Sequence, residues 1–373
     1  MKVKLGDICD ILDSQRVPVT AKDRKKGTYP YYGANGIQDY VDGYIFDDEL
    51  VLLAEDGGNF GSKEKPIAYR VSGKCWVNNH AHVLKPKETV DVDYLCYSLM
   101  FYDVSKLIKG ATRQKLTQND MRKMEIKLPD LIKQKNIVSV LNKIFNLIDL
   151  RKQELLKLDE LIKSRFIELF GDVYLNSKNY PIIKLENIAN IISGITKGRK
   201  IKEQVLEEVP YMAVSNVKDG YIDWTNIKTI LATKEEIDKY RLYTNDILMT
   251  EGGDPDKLGR GAILHTTLKN CIHQNHIFRV RLDCTKVLPI YFSMYLKQPK
   301  AKQYFLKCAK QTTGIATINM TQLRSLPVII PPIEIQSIFG DFIERIDKSK
   351  AEIQNSLAKL ETLKKSLMQE YFA

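Results

Sequence analysis

Two stretches of the chain combine basic side chains with closely spaced glycines, a combination suited to holding a polyanion. In EGGDPDKLGRG, residues 251–261, Lys257 and Arg260 stand among Gly252, Gly253, Gly259 and Gly261. Lysine and arginine can pair with O6 and N7 of guanine or clamp a phosphate, and glycine lets backbone approach a duplex closely. A solvated loop charge is the alternative for either residue. In GITKGRK, residues 194–200, the cluster of Lys197, Arg199 and Lys200 suits phosphate contacts, or simply a soluble surface. Earlier, YPYYGANGIQDYV at 29–41 puts Tyr31, Tyr32 and Asn35 in a glycine-bearing loop. Such residues touch sugar-phosphate or an adenine edge, although the tyrosines equally suit a core. Asn59 and Lys63 follow Gly57-Gly58 much as Lys257 and Arg260 follow Gly252-Gly253, while Arg113, Gln114 and Lys115 form a polar loop that Ile315 to Thr317 match poorly.

The histidines suggest a metal, as His80-x-His82 and His273-x-x-His276. Zinc needs about four ligands at defined spacing, and no cysteine stands suitably near His80. Cys271 lies close to His273 but has no counterpart beside the earlier histidines. No metal site is therefore expected. Hydrogen-bonded structural roles fall to His80 and His276, with Gln274 near the polyanion. The glycine loops match neither a phosphate-binding Walker loop nor a dinucleotide fingerprint, so no catalytic residue is nominated. The six cysteines are scattered without Cys-x-x-Cys, which suits reduced, buried thiols. The net charge of +11 favours a polyanionic partner. It is unevenly placed, for residues 1–130 carry 20 basic and 19 acidic side chains and residues 171–330 carry 23 and 15. No apolar run approaches the ~20 residues of a membrane span, and MKVKLGDICDIL is too polar for a secretory signal, which points to the cytoplasm.

What must position these loops is a long helix that occurs twice. From Gln134 to Phe170, Ile137, Ile144 and Leu158 form one row of heptad spacing and Leu141, Ile148, Leu155, Ile162 and Leu169 another. Spacing of four and three puts both rows on one helix face that must pack on a partner. At an offset of 202 the pattern returns in Phe339, Ile346, Ile353, Leu360 and Leu367, with Ile343, Leu357 and Tyr371 in the second row. Identical residues recur at that offset, Leu158, Leu161, Lys163, Ser164, Glu168 and Phe170 matching Leu360, Leu363, Lys365, Ser366, Glu370 and Phe372. An ordinary amphipathic core helix has the same periodicity. Its length sets this one apart, because ~37 residues make a rod of roughly 55 Å. Each helix is the natural partner of the other.

The duplication extends beyond the helices. KLGDICDIL at 4–12 parallels KLENIANII at 184–192, an offset of 180, while LAEDGG at 53–58 parallels MTEGGD at 249–254 and Asn79-His80 parallels Asn275-His276, an offset of 196. The order is thus globular unit (1–130), helix (131–171), globular unit (172–331), helix (332–373). Short β-branched and aromatic runs predict strands at Tyr44–Phe46, Leu50–Ala54, Tyr69–Val71, Trp76–Val77, Val83–Leu84, Ile247–Thr250, Ala262–His265 and Ile277–Leu282. Short helices are expected at Val92–Leu107 and Leu288–Cys308, and strand-like runs at Glu125–Pro129 and Pro327–Pro332. The fold class is α+β: two tandem globular domains of mixed, largely antiparallel strands, joined by two long antiparallel coiled-coil helices with approximate twofold symmetry. Such symmetry matches that of a DNA duplex, and unlike globular units imply an asymmetric, split target.

Residues LPDLIKQKNI at 128–137 and IPPIEIQSIF at 330–339 enter the helices, and with this alternation the whole chain resembles the DNA specificity subunit of type I restriction-modification systems. The loops YPYYGANGIQDYV, LAEDGGNFGSK at 53–63 and WVNNHAHVLKP at 76–86 resemble one kind of target recognition domain. GITKGRK, VPYMAVSNVKDGYID at 209–223, EGGDPDKLGRGAI at 251–263 and CIHQNHIFRVR at 271–281 resemble another. The resemblance implies a noncatalytic subunit that reads double-stranded DNA while its helices hold two methyltransferase subunits, a restriction and translocase subunit joining them. S-adenosylmethionine, ATP and Mg belong to those partners and no cofactor to this chain. An Asn-Pro-Pro-aromatic motif, a Walker lysine and a nuclease signature are all missing. Two other classes remain open here: a methyltransferase or nuclease with a diverged active site, and a coiled-coil scaffold that binds protein.

Overall fold

Five consecutive residues, Leu50–Ala54, are buried on both sides of their strand, and such a run belongs at the centre of a covered sheet. In the computed structural model that strand, Phe46–Ala54, is interior to a six-stranded sheet. The spatial order is Cys9–Ile11, Ala81–Pro86, Phe46–Ala54, Ala68–Val77, Lys26–Gly33, Gly36–Val41. The structure describes residues 2–62, 64–110, 114–200, 205–254, 258–312 and 314–372, the side chains of Gln311, Thr312 and Ile315 excepted. It divides into two compact units, Met1–Glu154 with Ile353–Ala373, and Leu155–Glu352.

The second unit repeats the path with different side chains. Its strands run Ala189–Ser193, Ile277–Leu282, Ile247–Thr250, Gly261–Ile263 in one sheet and Lys228–Ala232, Glu207–Met212, Ile272–His273 in another. One long strand of the first unit, Ala68–Val77, is thus represented by two short ones. The parallel pairing survives: Tyr31 faces Trp76 in the first unit, and Tyr211 faces Ile272 in the second. The terminal hairpins correspond too, for Lys2 pairs with Lys127 and Ile182 with Ile329.

Each long helix contributes to both units. The first spans Leu131–Phe170 and the second Ile333–Phe372. Within the first unit they run antiparallel, Lys364 lying 5.3 Å from the ring centroid of Phe145 and Lys152 3.7 Å from Glu361. Ile137, Leu141, Ile144 and Ile148 are buried there, whereas Ile353, Leu357, Leu360 and Leu367 are half-buried. Within the second unit the antiparallel contact runs through aromatic rings. Phe166 and Phe170 meet Phe339 at ring centroids 5.5 and 5.4 Å apart, and Phe166 stacks on Tyr291 while Phe170 meets it at a tilt. Ile162, Ile343 and Ile346 are buried and Leu155 and Leu158 half-buried.

Several local expectations shift. The helix predicted over Val92–Leu107 ends at Met100, and the one over Leu288–Cys308 is two, Pro289–Leu296 and Pro299–Cys308. Pro299 cannot continue a helix, but its fixed φ suits a first turn. Tyr44 lies before its strand, while the runs at Tyr69 and Trp76 belong to one strand.

Candidate nucleic-acid interface

In the second unit the strand ends bring three nominated segments together. Ile195 N donates to His273 O at 2.8 Å and Asn275 N to Ile195 O at 3.0 Å, tying the 194–200 loop to the 274–276 loop. Glu251 N donates to His276 O at 3.1 Å, which brings in the glycine-rich loop. Gly194 is required at this junction, since a Cβ there would meet His273 O at 1.9 Å. Lys197 and Lys200 stand exposed. Arg199 does not join them: its Nε donates to Glu236 Oε1 at 2.5 Å and a terminal nitrogen to Leu231 O at 3.0 Å. Glu236 holds that guanidinium above its ordinary pKa and is itself anchored in a capping box with Thr233. The expected phosphate-binding trio is therefore two free-standing lysines beside an arginine already matched by a carboxylate.

Arg260 is half-buried, beside Asp219, Lys297 and Lys302 in a small cleft, and Lys257 falls outside the described residues. Gln274 turns its side chain inward, its Oε1 accepting from Val214 N at 3.2 Å. It shapes the loop rather than standing clear of it.

The first unit has the same junction. Glu55 N donates to His80 O at 2.9 Å and Leu116 N to Glu55 O at 2.7 Å, as Glu251 N donates to His276 O and Ile318 N to Glu251 O in the second. The loops at 33–38, 55–62, 78–82 and 114–116 converge there. Asn35 Nδ2 donates to Gly57 O at 3.0 Å and Asn59 Nδ2 to Pro66 O at 3.4 Å, so both amides close loops. Tyr31 is a correction, for its ring is buried in the core. Its hydroxyl accepts from Val19 N at 3.1 Å, and Arg24 lies 4.3 Å over the ring. Tyr32 is half-buried against Tyr69 at 5.7 Å. Gln114 is exposed, while Lys63 and Arg113 lie outside the described residues.

Composition alone missed the buried charge network beneath this junction. Arg16 donates to Glu55 Oε2 at 2.6 Å, Lys115 Nζ lies 2.9 Å from Glu55 Oε1, and His82 Nδ1 lies 2.6 Å from Asp13 Oδ2. His82 Nε2 faces Leu116 O at 2.9 Å. Asp13, Glu55 and His82 are close enough to share a cation, but Glu55 already accepts from Arg16 and Lys115, Asp13 from Val83 N and Gln118 and faces His82, and both ring nitrogens of His82 face acceptors. An ion-pair cluster that braces the loops is what this donor set can do. Burial raises both acidic pKa values, yet the hydrogen bond from His82 to Asp13 and those from Lys115 and Arg16 to Glu55 outweigh it. Both acids stay below their ordinary range. The histidines tie loops by another route: His80 Nδ1 lies 2.6 Å from Asp56 Oδ1 and His276 Nδ1 2.6 Å from Glu251 Oε2.

A family model described as the type I restriction modification DNA specificity domain matches residues 1–160 and 177–364. A candidate type I restriction enzyme specificity subunit of Haemophilus influenzae is 38% identical over 138 residues, 37% of this chain and 35% of that one. The chain thus matches about a third of that relative's length. The EcoKI specificity subunit of Escherichia coli is 22% identical over 345 residues, 87% of this chain and 74% of the relative. The crystal structure of a type I restriction-modification S subunit from M. genitalium superposes with a TM-score of 0.60 at 14% identity, covering 100% of this chain and 96% of that one. With two matched regions that together span most of its length, a duplicated sheet-and-helix path and that fold, the chain belongs to the type I restriction-modification DNA specificity family.

Proposed function

We propose that this chain is the noncatalytic, sequence-reading subunit of a type I restriction-modification complex. It would read an asymmetric, bipartite double-stranded DNA target and hold methyltransferase subunits on it. The observation that carries this is the junction described above: the same backbone hydrogen bonds recur in both units, but the side chains around them differ. A shared scaffold suits the uniform phosphate backbone, and unlike loops suit unlike half-sites. Lys197 and Lys200 supply phosphate contacts and Arg260 and Gln114 are the candidates for base contacts, while Lys257, Lys63 and Arg113, outside the described residues, are nominated by residue type alone. The partner takes the target adenine out of the stack, since chemistry on a stacked base is inaccessible.

Two methyltransferase subunits, joined by a restriction and translocase subunit, complete the assembly, bringing S-adenosylmethionine, ATP and Mg, in the cytoplasm where the DNA lies. In the first unit Val140, Leu147 and Leu150 are exposed at spacings of seven and three, on a flank of the first helix away from Ile137 and Ile144. This flank is the seat assigned to a partner subunit.

The test is methylome sequencing of a host with and without this gene, beside incubation of the purified chain with DNA and a labelled methyl donor. A split motif that disappears with the gene is expected, with no turnover by the chain alone. Methyl transfer without a partner, or an unchanged methylome, overturns the proposal.

A further inference from the structure

Both long helices carry a glutamine in their first turn, on the face that carries the apolar rows, and both glutamines are 0% exposed. Gln134 Nε2 donates to Thr89 O at 3.1 Å and Pro129 O at 2.8 Å, while its Oε1 accepts from Asp91 N at 2.9 Å. Gln336 Nε2 donates to Lys286 O at 3.0 Å and Pro331 O at 2.8 Å, and its Oε1 accepts from Leu288 N at 2.8 Å. The glutamines and their prolines are related by 202, and the other partners, Thr89 with Lys286 and Asp91 with Leu288, by 197. The joint is the same in each half, atom for atom.

All six partners are backbone groups, so the joint is independent of the side chains that make the halves unlike. Asp91 and Leu288 are also the N-cap residues of the helices Val92–Met100 and Pro289–Leu296. Each glutamine therefore ties the start of a helix in the globular domain to the proline stretch from which the long helix departs. A tyrosine backs each joint: Tyr94 donates to Lys127 O at 2.8 Å and Tyr291 to Ile329 O at 2.8 Å, again at offsets of 197 and 202. An amide that satisfies three buried backbone groups admits one geometry, because any rotation leaves a buried polar atom unpaired. An apolar residue in its place would leave Asp91 N or Leu288 N and the facing carbonyls unpaired, so the amide both stabilises the joint and fixes its geometry.

We propose that Gln134 and Gln336 are positioning residues. Each sets the angle at which its recognition domain leaves its helix, and thereby the spacing and phase at which the two half-sites are accepted. This rests on the function proposed above. Base identity belongs to the loops, and the tolerance of the spacer belongs to these two amides.

The test uses the chain expressed with its cognate methyltransferase subunits, with genomic methylation as readout. The variants are Gln134→Leu, Gln336→Leu and the longer, equally bond-free Gln134→Met and Gln336→Met, beside Leu141→Ala as a core control that leaves the joint intact. The glutamine variants are expected to keep the half-site bases and to extend modification to sites whose spacer is one base pair longer or shorter. The control should lose modification uniformly at the original spacer. Strict retention of that spacer by the glutamine variants, with losses that follow thermal stability as in the control, overturns the inference. Should the leucine variants fail to accumulate, the methionine variants grown cold are judged by the same rule. A wild-type complex that yields no split motif would instead count against the proposed function.

Discussion

At the residue scale the outcome turned on which charges are already spent. Arg199 and Lys197 are two positions apart and indistinguishable as residue types for phosphate, yet Glu236 occupies one and leaves the other exposed. That pairing spans 37 residues, and no local pattern announces it. His273 makes a sharper case. It is buried, its Nδ1 lies 3.0 Å from Tyr240 O, and burial, with the charge of Arg279 adding, lowers its pKa to about 4. The unfolded chain binds this proton near pH 6.5, so between those values it holds more proton than the folded one, and stability falls as pH drops from about 6.5 toward 4. The loss should reach roughly 2 kcal/mol by pH 5. Urea unfolding at pH 7 and pH 5 measures it, and His273→Gln should remove that share of the difference. An unchanged difference would mean that other groups carry it.

At the element scale, heptad spacing located both helices, but the buried contacts are not confined to the nominated rows. Phe166 is 1% exposed and lies 4.8 Å from Phe170 and 5.9 Å from Tyr291. Because the second unit closes around this ring, Phe166→Ala should cost about 3–5 kcal/mol. Denaturant unfolding of the full chain checks this, and a loss below about 1 kcal/mol would show that the cluster repacks. The glutamine joints were legible in principle, since Gln134 and Gln336 coincide under the offset of 202. A polar residue kept on an apolar face in both copies is the signal. What it bonds was not legible, because its partners lie up to 50 residues away.

At the scale of the whole molecule, the proposed function makes the helix pair a ruler between half-sites. Adding one heptad to each long helix, after Glu154 and after Glu352, lengthens each by ~10 Å. At about 3.4 Å per base pair, the accepted spacer should grow by about three base pairs, or modification should cease. Methylome sequencing reads the outcome directly. Continued modification at the original spacing would mean that something other than the helices measures it.

The duplication, its three offsets and the two long helices were determined by sequence alone. Periodicity and internal repetition are local properties, and each offset reappears in the structure as a pair of equivalent contacts. Lys2 with Lys127 against Ile182 with Ile329 follows from offsets of 180 and 202, and Tyr31 with Trp76 against Tyr211 with Ile272 from 180 and 196. Only the tertiary structure decided which polar side chains of the loops are left for a partner. Asn35, Asn59, Arg199 and Gln274 are each bound to a group elsewhere in their unit, and Tyr31 is core. A hydrogen bond or ion pair between distant positions depends on where the sheet brings them, whereas residue type states only that such a bond is chemically available.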